Sequence, residues 1–183
     1  MKTIISTIYF AFALLAFACC AFLPAAQAVV PAPDGGYPGG NTAEGQNALF
    51  SLNSGGFNTA VGYLSLRSNS TNSFNTAMGA GTLFANTADQ NTGIGAGALL
   101  SNTVGSYNTA NGAFALFSSG NGNYNTAVGN SALLHATFSD NNTAIGALTL
   151  ENSTMSTGNT AVGTSALLGI TTGNFNIGLG TPT

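Results

Sequence analysis

The chain has 183 residues, of which 44% are apolar and only 4% charged, and its formal net charge is −3. Lys2 and Arg67 are its only basic residues. That deficit excludes a phosphate-neutralising surface, so nucleic acid is not an expected partner, and it argues equally against electrostatic binding to a membrane surface. Disorder is also disfavoured, because it requires low hydrophobicity and high net charge.

Residues 1–28 read as a signal peptide. Lys2 gives a short positive start, Ile4 to Leu23 is almost wholly apolar, and Ala26-Gln27-Ala28 has the small-x-small pattern of a cleavage site. The apolar run approaches spanning length, but Pro24 and the cleavage pattern favour removal after Ala28, leaving no membrane span. Cys19 and Cys20 lie inside this run and lack the preceding Leu-like residue of a lipidation signal. Cleavage would leave a chain without cysteine, held together by packing and hydrogen bonds alone. Residues 29–40 carry three prolines and four glycines and form an irregular leader, which either caps the first coil or hangs free.

From Asn41 a repeat takes over. Asn-Thr-Ala-Val-Gly at Asn58–Gly62 recurs at Asn125–Gly129 and Asn159–Gly163, with variants between. The starting asparagines are Asn41, Asn58, Asn75, Asn91, Asn108, Asn125, Asn142, Asn159 and Asn176, spaced by 17 residues except for one gap of 16 after Asn75. A period of this size predicts an all-β repeat solenoid, a β-roll or β-helix of about eight coils over residues 41–180, followed by a tail at 181–183.

With positions numbered 1 to 17 from each asparagine, position 2 is Thr in the eight full repeats, position 5 is Gly and position 9 is Leu. Position 3 is Ala except at Gly93. Position 4 is mostly apolar, with Glu44 and Asn111 as departures. Positions 1 to 4 suit a short strand, and alternation puts 2 and 4 on one face and 1 and 3 on the other. The position 4 and Leu columns are the expected interior, which would turn most Thr hydroxyls inward and leave the Ala column as a flat outer strip. Gly at position 5 supplies a corner that a Cβ would obstruct. A second corner falls around positions 13 to 16, where the Asn75 repeat loses one residue near Ala88-Asp89-Gln90. Positions 6 to 11, rich in Ala-Leu-Leu and Ala-Leu-Phe, fit either a second strand or one helical or 3₁₀ turn per coil. Stacked asparagines at position 1 are expected to pass hydrogen bonds along the column.

Nothing in the repeat points to catalysis. A coil of this perimeter encloses side chains only and offers no interior pocket of enzyme size. His135, the single histidine, has Ser139 and Asp140 near it in sequence but no oxyanion hole or oriented partner, and is expected to face solvent at position 11. Gly93-Ile94-Gly95-Ala96-Gly97 has the look of a nucleotide loop, yet no basic residue follows and it is the repeat's own corner. Asp89, Asp140 and Glu151 fall on separate coils, and the calcium-binding nonapeptide is absent, so neither metal nor cofactor is expected. The aromatics at position 17 (Phe57, Phe74, Tyr107, Tyr124 and Phe175) read first as corner packing, with a sugar-stacking platform as the alternative. A row of Thr on a flat face is what an ice-binding surface needs, but the inward facing expected of position 2 lowers that reading.

The Asn-Thr-Ala-Val-Gly core with an Ala-Leu segment between copies resembles the head repeats of trimeric autotransporter adhesins, the YadA-like head. The match covers Asn41 to Gly180. Thr stands where that family has an apolar second residue, the period is longer, and no coiled-coil stalk or β-barrel anchor follows the repeats. The resemblance implies a trimer displaying an adhesive surface outside an outer-membrane bacterium. The function expected is therefore that of a secreted or cell-surface structural or adhesive protein, binding a surface polymer, matrix or host ligand through flat uncharged faces. The Ala strip and the apolar position 10 (Phe50, Leu100, Phe117, Leu134 and Leu168) point to self-association. The alternative is a monomeric ice- or glycan-binding solenoid.

Overall fold

A computed structural model of the chain describes residues 37–181. Residues 1–28, read above as a signal peptide, residues 29–36 of the leader and residues 182–183 of the tail lie outside the described residues. The repeat builds nine three-residue strands: β1 (Thr42–Glu44), β2 (Thr59–Val61), β3 (Thr76–Met78), β4 (Thr92–Ile94), β5 (Thr109–Asn111), β6 (Thr126–Val128), β7 (Thr143–Ile145), β8 (Thr160–Val162) and β9 (Ile177–Leu179). They form one parallel sheet in chain order, with every position pairing with its own equivalent in the next coil, as in Thr59↔Thr76 and Val61↔Met78. The molecule is a β-solenoid.

The short repeat leaves this register intact, since Thr76 pairs with Thr92 as regularly as Thr92 does with Thr109. The missing residue comes from the second corner. Asn75 Nδ2 donates to Ala88 O, the bond that other coils make to the carbonyl at position 15, so the loss falls between Thr87 and Ala88. A loop absorbs a deletion that in a strand would reverse the facing of every later side chain.

The facing of the strands corrects the sequence expectation. Ala60, Ala77, Ala110, Ala127, Ala144 and Ala161 at position 3 are fully buried, while position 4 is turned outward, with Met78, Ile94, Val128, Ile145 and Val162 exposed by 36–45%. The Thr side chains of position 2 share that outer face and are half-buried or exposed. The interior consists of the Ala column, the small residues of position 8, the Leu column and the asparagines of position 1.

The asparagine column fixes this phase. Asn125 Nδ2 donates to Ser139 O of its own coil at 2.5 Å, and its Oδ1 accepts from the backbone N–H of Asn142 at 3.0 Å and from Asn142 Nδ2 at 3.2 Å. The backbone bond from one asparagine to the preceding Oδ1 runs from Asn58 to Asn176. The ladder expected from the sequence is present. It also closes each coil, because position 1 must point inward to reach the corner carbonyl at position 15. Alternation then sends position 3 inward and positions 2 and 4 outward. Room is the second cause: a Cβ on Gly93 would lie 3.6 Å from Leu83 Cδ1, so the Leu column fills the interior up to the strand and leaves space for no more than a methyl group.

Positions 6 to 11 form neither of the two expected structures. They are a run of turns, with non-glycine residues in the left-handed region at positions 7 and 9, such as Leu64 (φ 58°) and Leu66 (φ 49°). The N–H groups of the segment are shared between the two neighbouring coils, position 7 donating back, positions 9 and 11 forward, and position 8 to the corner glycine carbonyl of its own coil. Gly81 N donates back to Tyr63 O, and Leu83 N donates forward to Ala98 O. The segment therefore has an inter-coil ladder without strand geometry, which satisfies its backbone as a buried segment must. Each left-handed leucine costs on the order of 1 kcal/mol, offset by complete burial of its side chain at Leu66, Leu83, Leu99, Leu116, Leu133 and Leu150.

A second polar column runs at position 12. Asn69, Asn86 and Asn102 are buried and linked, with Asn86 Nδ2 donating to Asn69 Oδ1 and Asn102 Nδ2 to Asn86 Oδ1 at 2.8 Å. The column stops at Ser119, where Asn102 Oδ1 and Ser119 Oγ have no hydrogen-bond partner among the described residues. Ser119→Asn would extend the ladder to the Gly122 carbonyl, as Asn102 reaches Gly105 O. It is expected to stabilise the fold by about 1 kcal/mol, read as a rise in the urea midpoint.

Residues 37–40 cap the first coil. Tyr37 bridges Asn41 and packs on the core, and Phe57 N donates to Gly39 O at 2.8 Å.

Candidate functional surfaces

The outside of the coil is organised in rows that follow from the inward asparagines. Positions 17, 2 and 4 face out on either side of inward positions 1 and 3, giving an aromatic row, a threonine row and an aliphatic row along the tube. The aromatics sit in the left-handed region, for example Phe57 (φ 57°) and Tyr124 (φ 57°), which turns their rings off the sheet's edge. Phe57, Phe74, Tyr107, Tyr124 and Phe175 are exposed by 49–80%. Phe57 stacks on Phe74 with ring centroids 5.3 Å apart, and Tyr107 on Tyr124 at 4.7 Å. Each of these two pairs packs ring on ring across neighbouring coils while its members stay exposed by about half or more.

On another side, position 10 carries Phe50, Arg67 and Phe84 in succession. The Arg67 guanidinium lies 5.5 Å from the Phe50 ring centre and 5.7 Å from that of Phe84. The one cation of the repeat region is thus absorbed into an aromatic stack. Leu100, Phe117, Leu134 and Leu168 continue this row, half-buried, with Glu151 interrupting it between Leu134 and Leu168.

The polar candidates stay apart. His135 is exposed at position 11. Its backbone N–H donates to Glu151 O, and its carbonyl accepts from Thr137 N. Ser139 is buried, with Oγ donating to Ser153 O and accepting from Ser156 N. Asp140 Oδ1 accepts from Asn123 N at 2.7 Å, and Asp89 Oδ1 from Ser73 N at 2.7 Å. Both carboxylates thus brace a preceding corner, a role that sequence spacing did not suggest. No group of three or more His, Cys, Asp or Glu side chains able to hold a metal ion occurs among the described residues.

Gly93 has a packing explanation. A Cβ there would lie 2.6 Å from Thr82 Cγ2, at position 8 of the preceding coil. Its neighbour Gly95 is the ordinary corner glycine, whose N–H donates to Met78 O. The Gly-rich stretch is part of the ladder and forms no phosphate cradle.

Open recesses interrupt the surface of the described residues. One of about 480 Å³ lies at the last coil beside Leu167, Leu168 and Leu179, and one of about 320 Å³ lies beneath Tyr37 and Pro38. Another, about 430 Å³, opens at the short coil between Phe74 and Tyr107. None is enclosed by the coil interior, which side chains fill. Among the described residues no helix is long and apolar enough to cross a membrane. Comparison with protein-family models, with curated proteins and with solved structures gives no match.

Proposed function

We propose that the protein is a secreted or cell-surface structural and adhesive repeat protein that associates with copies of itself and presents uncharged outer faces to a surface polymer, matrix or host ligand. The observation that carries this reading is the outward position 4 row, in which Met78, Ile94, Val128, Ile145, Val162 and Leu179 are exposed and Val61 is half-buried, with Glu44 and Asn111 as its polar members. Rows of large exposed apolar side chains on a soluble protein are characteristic of interaction surfaces. The half-buried position 10 row and the resemblance to trimeric adhesin heads support threefold association. The Ala column does not, because it is interior. The apolar start of the chain, with Lys2 before it and Ala26-Gln27-Ala28 after it, supports export.

Size-exclusion chromatography with light scattering tests the association. The purified chain is expected to run at three times its single-chain mass, and Ile145→Lys, placing a charge in the exposed row, is expected to return it to one chain while changing stability by less than about 1 kcal/mol. A single-chain mass for the unaltered protein at high concentration removes self-association.

One observation favours a second reading. The Thr row faces outward beside the aliphatic row, where the sequence had suggested inward hydroxyls. A regular flat array of hydroxyl and methyl groups on a monomer is suited to ordering water as an ice-binding face. Thermal hysteresis in the purified chain supports that function, and its absence at millimolar protein removes it.

A further inference from the structure

The aromatic row at position 17 is interrupted first at Gln90, and again at Asn141 and Gly158 before Phe175. Phe57 and Phe74 form one stack and Tyr107 and Tyr124 another, and between them the short Asn75 coil places Gln90 at the same left-handed position (φ 59°). The two inner rings, Phe74 and Tyr107, are therefore two coils apart, a separation of roughly 9–10 Å at ordinary strand spacing. Stacks of ring on ring occupy one coil each at 5.3 and 4.7 Å. The interval is thus that of one missing ring. It is also where the recess of about 430 Å³ lies, bounded by Phe74, Tyr107, Ser73, Asp89, Gln90 and Ser106.

The chemistry around the interval is polar and mixed. Asp89 is held in place because its Oδ1 accepts from Ser73 N, which leaves Oδ2 as an acceptor. The Gln90 side chain is exposed and supplies both a donor and an acceptor, with Ser73 and Ser106 hydroxyls beside it. A carboxylate and no cation at the rim repels anionic ligands such as phosphates and uronates. An apolar occupant would strand these polar groups without partners. What suits two ring faces one ring apart, edged by hydroxyl, amide and carboxylate groups, is a flat ring with C–H faces and hydroxyl edges.

We propose that the recess at the short coil binds one uncharged pyranose unit of a polysaccharide, inserted between Phe74 and Tyr107, with its hydroxyls donating to Asp89 and exchanging hydrogen bonds with Gln90. Gln90 in place of an aromatic ring opens the site, and the one-residue deletion between Thr87 and Ala88 shortens the corner beside it. This site is local and independent of the association proposed above.

The test is calorimetric titration of the purified chain with cellohexaose, laminarihexaose and chitohexaose. At least one is expected to bind, with Tyr107→Ala weakening it at least about tenfold through the lost stacking surface. The decisive variant is Gln90→Phe. Its backbone matches that of Phe57 and Phe74, so the ring continues the stack and fills the interval. It is expected to keep the circular dichroism spectrum and the light-scattering mass of the parent, and to lose sugar binding. Sugar binding that survives Gln90→Phe, or no binding of any of the three, overturns the proposal. Binding of N-acetyltryptophanamide in place of the sugars also overturns it, by making the recess a socket for a protein side chain. An unchanged mass separates each of these outcomes from a failure of self-association.

Discussion

Gly129→Ala is expected to destabilise the solenoid by more than about 4 kcal/mol. Two costs combine. Gly129 has φ 132°, outside the range an L side chain ordinarily adopts. The added Cβ would also lie 2.5 Å from the carbonyl oxygen of Gly146 in the next coil. Relief requires the two coils to part, and Gly146 N–H donates to Val128 O at 2.7 Å across that junction. The same collision, at 2.4 to 2.8 Å, awaits a Cβ at Gly45, Gly62, Gly79, Gly95, Gly112, Gly146 and Gly163, so the column is a continuous close approach of backbones. Gly169 is the control. It has no positive φ and nothing within 4 Å of its would-be Cβ, so Gly169→Ala should change stability by no more than about 0.5 kcal/mol. Urea unfolding measures both. Hydrogen exchange should place the damage of Gly129→Ala in the coils starting at Asn125 and Asn142, because repeats couple mainly to their neighbours. Equal midpoints for the two variants would contradict the close stacking.

Asn125→Ala is expected to cost about 3–5 kcal/mol, close to the larger core truncations. The side chain is fully buried. Its removal strips the Ser139 carbonyl of its 2.5 Å donor and the Asn142 backbone N–H of its 3.0 Å acceptor, in an interior where neither can reach water. Each orphaned group costs about 1–3 kcal/mol. Asn125→Asp keeps the acceptor but loses the donor and buries a charge among carbonyls, so at neutral pH it should be at least as damaging. Thr126→Ala, one residue on and facing outward, should stay within about 0.5 kcal/mol. A loss from Asn125→Ala no larger than that from Thr126→Ala would mean that the ladder does not close the coils. Denaturant midpoints with unchanged m-values are the measurement.

The misassigned strand faces show where pattern reasoning gave way. Val61, Ile94 and Ile145 looked like core because they are the largest apolar residues in their strands. The asparagine ladder set the opposite phase: it works best shielded from water, and once position 1 reaches the corner carbonyl across the coil, the Ala of position 3 turns inward with it. Hydrophobicity competed with hydrogen bonding, and hydrogen bonding prevailed. Positions 6 to 11 are a different case. Their left-handed leucines carry no local sequence signal, since Leu seldom adopts positive φ and does so here only because its N–H must meet the adjacent coil. The recess between Phe74 and Tyr107 was half legible. The deletion and the interrupted aromatic column are visible in the spacing, but that they coincide in space is not.

By itself the sequence determined the period, the parallel in-register stacking, the Gly corner, the Leu column and the place of the deletion. All of these follow from identical residues returning at a fixed interval, which makes each coil the template for the next. Only the tertiary structure decided which strand face is inside, how the Ala-Leu segment turns and which side chains form the outer rows. Those depend on the space a Leu leaves within the coil and on which carbonyl an asparagine can reach across it, and both distances exist only once the chain has closed on itself.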